Sequence, residues 1–232
     1  MTFDDALAAM RRLSSGARHA HTGQWVAGAL RTRIAEGDLP PGTKLLEEAL
    51  GSALGVSRNT LREAFGILAA ENIVTRVPNR GVFVARPTAE DIAEIYRVRR
   101  YLEPAALRWG GADSGAAAAE RDAVIARARS ARDAGDVAAM ADANQDFHKA
   151  VVARAGSARF DAMMSEVLAE MRLVFHGMGD DPAFHAPYVE ANADIAALLR
   201  ADRADEAAEG MRAYLDQAES QLLAAVRRER DR

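Results

Sequence analysis

The stretch from residue 46 to residue 85 constrains this chain most. Two short segments with helical apolar spacing, about 46–54 and 58–72, are separated by little more than Gly55-Val56. Gly55 suits the left-handed conformation that ends a helix, and Ser57 is a good N-cap for the next one. Leu61, Ala64, Phe65 and Leu68 then form one apolar stripe. Two β-prone runs follow, 73–77 and 82–85, separated by Pro78-Asn79-Arg80-Gly81, which is a hairpin signal. An upstream helix from Gln24, carrying Val26, Leu30 and Ile34, is stopped by Gly37 and the Pro40-Pro41 pair. Helices across a tight glycine turn, followed by a hairpin, predict a winged helix–turn–helix over residues 23–87.

The stripe that anchors the third helix leaves Arg58, Asn59 and Arg62 outside it. Arg58 and Arg62 are four apart and share a face. Arginine can fork onto guanine and asparagine can pair with adenine, so this face suits a major groove. Ser57, Thr60 and the first-turn amides suit phosphate. Arg80 at the hairpin tip, flanked by Asn79 and Gly81, is placed for the minor groove or the backbone. The bland alternative is a solvated helix face beside a generic hairpin.

Residues 1–22 show no sustained pattern and read as a flexible arm, with a short helix possible over 6–13. From Ala89 onward the periodicity is helical almost throughout, in segments near 89–109, 115–133, 136–154, 158–177, 182–200 and 204–228. The expected fold is therefore mainly α: a winged helix–turn–helix, then an antiparallel bundle of about six helices over residues 88–232. Charge follows the same division. Through Arg86 there are 11 basic and 8 acidic residues (+3), and from Pro87 onward 19 and 26 (−7). A mildly basic segment joined to an acidic one fits a nucleic-acid reader carrying a second module.

There is no cysteine, which excludes structural disulfides and thiolate chemistry. No apolar run reaches the ~20 residues of a bilayer span. The N-terminus has acids where a secretory signal needs basic residues. A cytoplasmic protein with no membrane association is expected.

Several bundle helices carry polar residues within their apolar stripes. Arg99 lies among Ile92, Ile95, Leu102 and Ala106. Asn144 and His148, four apart, share a face with Met140, Phe147, Val151 and Val152. Asn192 is in line with Tyr188, Ile195 and Leu199, and Tyr214 with Met211, Ala218 and Leu222. An unpartnered buried polar group costs ~1–3 kcal/mol, so four such helices are expected to outline one polar effector cavity. The alternatives are a satisfied core histidine, a tyrosine bonded to backbone, and an internal Arg99–Glu103 ion pair one turn apart.

Residues 25–85, above all PPGTKLLEEALGSALGVSRNTLREAFGILAAENIVTRVPNRGVFV, resemble the GntR-type winged-helix repressors. AEDIAEIYRVRRYLEPAAL, NQDFHKAVV and the last helix are similar to the FadR-like effector domain. The resemblance implies DNA contacts by Arg58, Asn59, Thr60 and Arg62, with Asn79–Gly81 as the wing tip. Glu48 stands where some relatives carry a DNA-contacting arginine. Many relatives hold a divalent metal through an aspartate and three histidines, and those positions fall here on Asn144, His148, Asn192 and Tyr214. One imidazole with amides and a phenol makes a poor transition-metal site. His176 and His185 are not at ligand spacing with His148. No metal or other cofactor is expected.

The function this implies is a ligand-responsive transcriptional regulator, a repressor rather than an enzyme. It would bind a palindromic double-stranded operator as a homodimer, and a small carboxylate or sugar acid would pair with Arg99. The helical domain would supply both the effector site and most of the dimer interface. The alternative is a regulator whose helical domain no longer binds a ligand. A second alternative is an enzyme built on the helical half with His148 as general base, against which stands the lack of a metal, a nucleophile or an acidic pair beside it.

Overall fold

The computed structural model describes residues 3–16, 22–111, 115–177 and 182–230. The chain forms two compact units, one of Met1–Pro87 with Ala169–Gly177 and one of Thr88–Leu168 with Met178–Arg232.

In the first unit, α1 (Phe3–Gly16), α2 (Gly23–Ala35), α3 (Glu47–Leu54) and α4 (Arg58–Ala70) surround one apolar core. Gly55, at φ 67°, ends α3 in the left-handed region. The Ser57 side chain accepts from the Thr60 amide at 3.2 Å and starts α4. Leu61, Ala64, Phe65 and Leu68 are all buried, as their spacing requires. Replacing Ser57 by alanine removes the cap and is expected to cost ~1 kcal/mol. A drop in the urea midpoint at unchanged slope would register it, and an unchanged midpoint would contradict it.

Residues 3–16, which fall within the stretch read as an arm, form a helix packed on α3. Its Ala6, Leu7 and Met10 join the core of this unit at 0–6% exposure. Three positions make a stripe too narrow to stand out by periodicity. Residues 1–2 and 17–21 of the expected arm lie outside the described residues.

The expected hairpin is β2 (Val74–Val77) with β3 (Gly81–Val84), and Asn79 and Gly81 take positive φ at its tip. A two-residue strand, β1 (Lys44–Leu45), adds to the free edge of β3 and makes a three-stranded sheet of order β1-β3-β2. In the same unit, Leu173 enters the core, and Arg172 Nε and His176 Nε2 both donate to Ala35 O, at 3.0 and 2.8 Å.

The second unit is helical throughout its described residues. It contains α5 (Ala89–Trp109), α6 (Gly115–Ala134), α7 (Val137–Ala153), the first part of α8 (Ala158–Gly177), α9 (Pro182–Arg200) and α10 (Ala204–Arg230). Thr88 and Asp91 form a reciprocal capping box that starts α5. The α5 helix packs along α10, and α7 touches α5, α6 and α9. Arg100 bridges from α5 to Asp216 and Glu219 of α10, and Arg108 to Asp205 and Glu209. No described helix is long and apolar enough to cross a membrane.

Candidate nucleic-acid interface and buried polar site

The α4 stripe turns Leu61 and Phe65 inward and leaves Ser57, Arg58, Asn59 and Arg62 exposed, with Thr60 half-buried. Ser57 Oγ lies 2.9 Å from Thr60 Oγ1, so both hydroxyls sit at the first turn beside its free amides. Arg62 Nε is 3.6 Å from Glu47 Oε2 on α3. Arg58 forms no ion pair among the described residues. Asn79, Arg80 and Gly81 are exposed at the wing tip. Among the described residues, many other arginines are tied to carboxylates, for example Arg31 to Glu71 and Arg129 to Glu190. On the face read as DNA-binding, Arg58 and the wing-tip Arg80 have no internal carboxylate partner among the described residues and are available to an external anion.

Two residues of this unit were not anticipated. Arg76 on β2 donates through Nη2 to Arg62 O at 2.9 Å, bracing the first turns of α4 against the wing. Lys44 stands on the edge strand beside the wing. Neither carries a sequence signal, since each matters only once β1, β2 and α4 are neighbours.

In the second unit, the polar stripe residues of α5, α7, α9 and α10 meet in one buried network. Arg99 Nε donates to Glu103 Oε1 at 2.6 Å, and Glu103 Oε2 lies 2.5 Å from His148 Nδ1. His148 Nε2 is 3.0 Å from the Tyr214 hydroxyl, which is itself 2.8 Å from Asn144 Oδ1. Asn192 Nδ2 donates to the same Asn144 oxygen at 2.8 Å. Arg99, Asn144, His148, Asn192 and Tyr214 are thus brought together. The five expected residues are joined by a carboxylate. Glu103, foreseen only as a partner for Arg99, holds His148 as well, because α5 lies beside α7.

Charge in the network follows from burial and pairing. Burial pushes the His148 imidazole below its usual range, against the opposing pull of Glu103. Burial acts to raise the Glu103 carboxyl, but Arg99 and His148 outweigh it and hold Glu103 ionised. Burial lifts the Tyr96 phenol, packed 5.0 Å from the Arg99 guanidinium, to about 12. A neutral His148 then donates from Nδ1 to Glu103 and accepts at Nε2. Tyr214 has one proton for two acceptors, His148 Nε2 and Asn144 Oδ1, so one of these contacts lacks a proton. Arg99 Nη2 and Asn192 Oδ1 are buried and have no partner among the described residues. The network is continuous from Arg99 to Asn192 and incompletely satisfied.

The pH dependence of stability follows. Both native groups bind protons more weakly than in the unfolded chain. Stability is full above the ordinary histidine value of 6.5, is lost as His148 is forced to charge below it, and falls further below 4.5 through Glu103. The melting temperature is expected to be lower at pH 5 than at pH 7, with a smaller difference in His148→Gln. An equal or higher value at pH 5 would contradict this.

These residues do not fit a transition metal. Both ring nitrogens of His148 are engaged, and its neighbours besides Glu103 are amides and a phenol. Among the described residues, no three His, Cys, Asp or Glu side chains gather as a metal site. His176 belongs to the first unit, and His185 is packed edge-on to Phe184. A cleft of about 710 Å3 opens elsewhere in the helical unit, with Arg121, Arg127, Lys149 and Arg154 among its lining, and none of the network residues borders it.

Residues 22–84 match the model of the bacterial regulatory proteins of the gntR family, and residues 94–217 match that of the FCD domain. The crystal structure of a GntR regulator from Rhodococcus sp. RHA1 is similar at 39% identity and a TM-score of 0.81, over 88% of this chain and 98% of that one. McbR/YncC of E. coli shares the fold at 24% identity and a TM-score of 0.72, over 89% and 97%. The gluconate operon transcriptional repressor of Bacillus subtilis is 45% identical over 84 residues. That match takes in 36% of this chain and spans only about a third (34%) of that repressor's length.

Proposed function

Because this chain belongs to the GntR family of bacterial regulatory proteins and carries an FCD domain, we propose that it is a DNA-binding repressor released or engaged by a small carboxylate. It acts on DNA and does not turn over a substrate. A homodimer sets one α4 into each half-site of a palindromic operator, with Arg58, Asn59 and Arg62 reading bases and Ser57 and Thr60 meeting phosphate. The exposed, unpaired Arg58 and Arg80 support this reading. A name attached to gluconate among the relatives is consistent with a sugar acid as effector.

One observation carries the effector assignment. Arg99 Nη2 and Asn192 Oδ1 are buried and unpartnered within an otherwise connected network. Leaving such groups unsatisfied is costly in a core built only for packing. A carboxylate can accept from Arg99 Nη2, and a hydroxyl on the same ligand can donate to Asn192 Oδ1. Binding shifts the equilibrium between DNA-binding states, by a coupling typically worth ~1–3 kcal/mol.

A thermal-shift screen of aliphatic carboxylates and sugar acids tests this. At least one is expected to raise the melting temperature of the wild type, with the rise lost in Asn192→Leu. If none does, the helical domain is degenerate and the constitutive reading stands. The same preparation should contain less than one equivalent of zinc, nickel or manganese, and chelation should leave its melting temperature unchanged. A tightly held equivalent of metal that disappears in His148→Ala would contradict the metal-free site.

A further inference from the structure

We propose that Lys44 and Arg80 form a two-cation clamp for the DNA phosphate backbone at the wing, with Phe83 as the residue that positions both. This rests on the DNA-binding reading and adds Lys44 and Phe83 to it.

The clamp is built by strand register. Lys44 on β1 lies opposite Phe83 on β3. Strand alternation turns Leu45, Val82 and Val84 into the core at 2%, 7% and 1% exposure. It leaves Lys44, Gly81 and Phe83 on the outer side, with Lys44 and Gly81 exposed and Phe83 half-buried. Lys44 Nζ is 5.9 Å from the centroid of the Phe83 ring, and Arg80 Cζ is 5.9 Å from the same centroid. Both are within the range at which the ring quadrupole attracts a cation. Gly81 permits the approach, since a Cβ there would stand 3.3 Å from Lys44 Cε.

Two like charges gathered on one ring repel each other. Neither Lys44 nor Arg80 forms an ion pair among the described residues. Their distances from the shared centroid place them at most roughly 12 Å apart, comparable to the Debye length of ~10 Å at 0.1 M salt. The arrangement favours an external anion that both can reach, and the wing-tip residues Asn79–Gly81 lie directly beside it. An extended polyanion fits this geometry better than a compact one, because one cation stands on the edge strand β1 and the other in the turn between β2 and β3. A lysine ammonium is a point charge without the fork needed to read a base, so Lys44 contributes affinity and register without sequence preference.

The test uses the full chain and a duplex that the wild type has selected from a random-sequence pool, with binding followed by fluorescence anisotropy over a range of salt. Lys44→Gln is expected to weaken binding roughly fivefold at moderate salt and to reduce the slope of log K against log salt by about 0.9. Its preference among mismatched duplexes should be unchanged. Lys44→Arg should restore both affinity and slope. Phe83→Leu should weaken binding by itself, and Lys44→Gln should then cost less in that background than in the wild type. Melting curves check that each variant is folded, and Lys44 is exposed, so Lys44→Gln alone decides the matter if Phe83→Leu does not fold. A Lys44→Gln protein with wild-type affinity and salt slope, alongside an Arg58→Ala protein that has lost binding, would overturn the clamp and leave the DNA-binding reading intact. A wild type that selects no duplex would defeat that reading itself, and the clamp with it.

Discussion

Glu103→Ala is expected to destabilise the protein by ~3–5 kcal/mol, the scale for stripping one partner from a buried charge pair. Glu103 is 0% exposed and takes hydrogen bonds from Arg99 and His148 through its two oxygens. Its removal leaves Arg99, 2% exposed, with no counter-ion. Burial alone would depress the Arg99 pKa, and Glu103 more than offsets that and keeps the guanidinium charged. Alanine also opens a cavity beside His148 that α5 cannot close without moving against α10. Glu103→Gln keeps the volume and loses the charge, so its cost should be smaller. Replacing both partners, Arg99→Met with Glu103→Leu, should recover most of the loss, because a packed apolar pair removes the desolvation penalty as well as the attraction. That double variant should no longer respond to carboxylates. Urea unfolding at constant slope is the measurement, and a loss below ~1 kcal/mol for Glu103→Ala would show that the pair is not the keystone of the bundle.

Arg58→Ala and Arg62→Ala are each expected to weaken binding to the selected duplex by ~1–3 kcal/mol while leaving stability unchanged. Both side chains lie off the buried stripe of α4, so neither supports the core. The losses should differ. Arg62 must leave Glu47, 3.6 Å away, before it reaches DNA, and that exchange reduces its net gain. Arg58 has no internal partner to give up and should show the larger loss. Two variants that bind as tightly as the wild type would mean that α4 does not enter the groove.

The helix–turn–helix was legible because its signals are local. Gly55, Ser57 and the stripe from Leu61 to Leu68 each act within a turn or two of the chain. The six bundle helices were legible for the same reason, their ends marked by glycines and their faces by periodicity. What depended on neighbours distant in sequence was not legible. The two residues of β1 are a strand only because β3 lies beside them. The three buried residues of α1 gain meaning from α3. The inward positions of Arg99, Asn144, His148, Asn192 and Tyr214 followed from their stripes. The link from Glu103 to His148 needed α5 beside α7, and no spacing along either helix announces it. Lys44 and Phe83, 39 positions apart, meet only through strand register.

Selection from a random pool of duplexes, followed by sequencing of the bound fraction, tests the central claim most directly. A dimeric reader with one α4 per half-site should enrich a two-fold-symmetric sequence, and the carboxylate that stabilises the protein should change its affinity for that sequence. A bound fraction with the same sequence composition as the starting pool, unaltered by any stabilising carboxylate, would contradict the account.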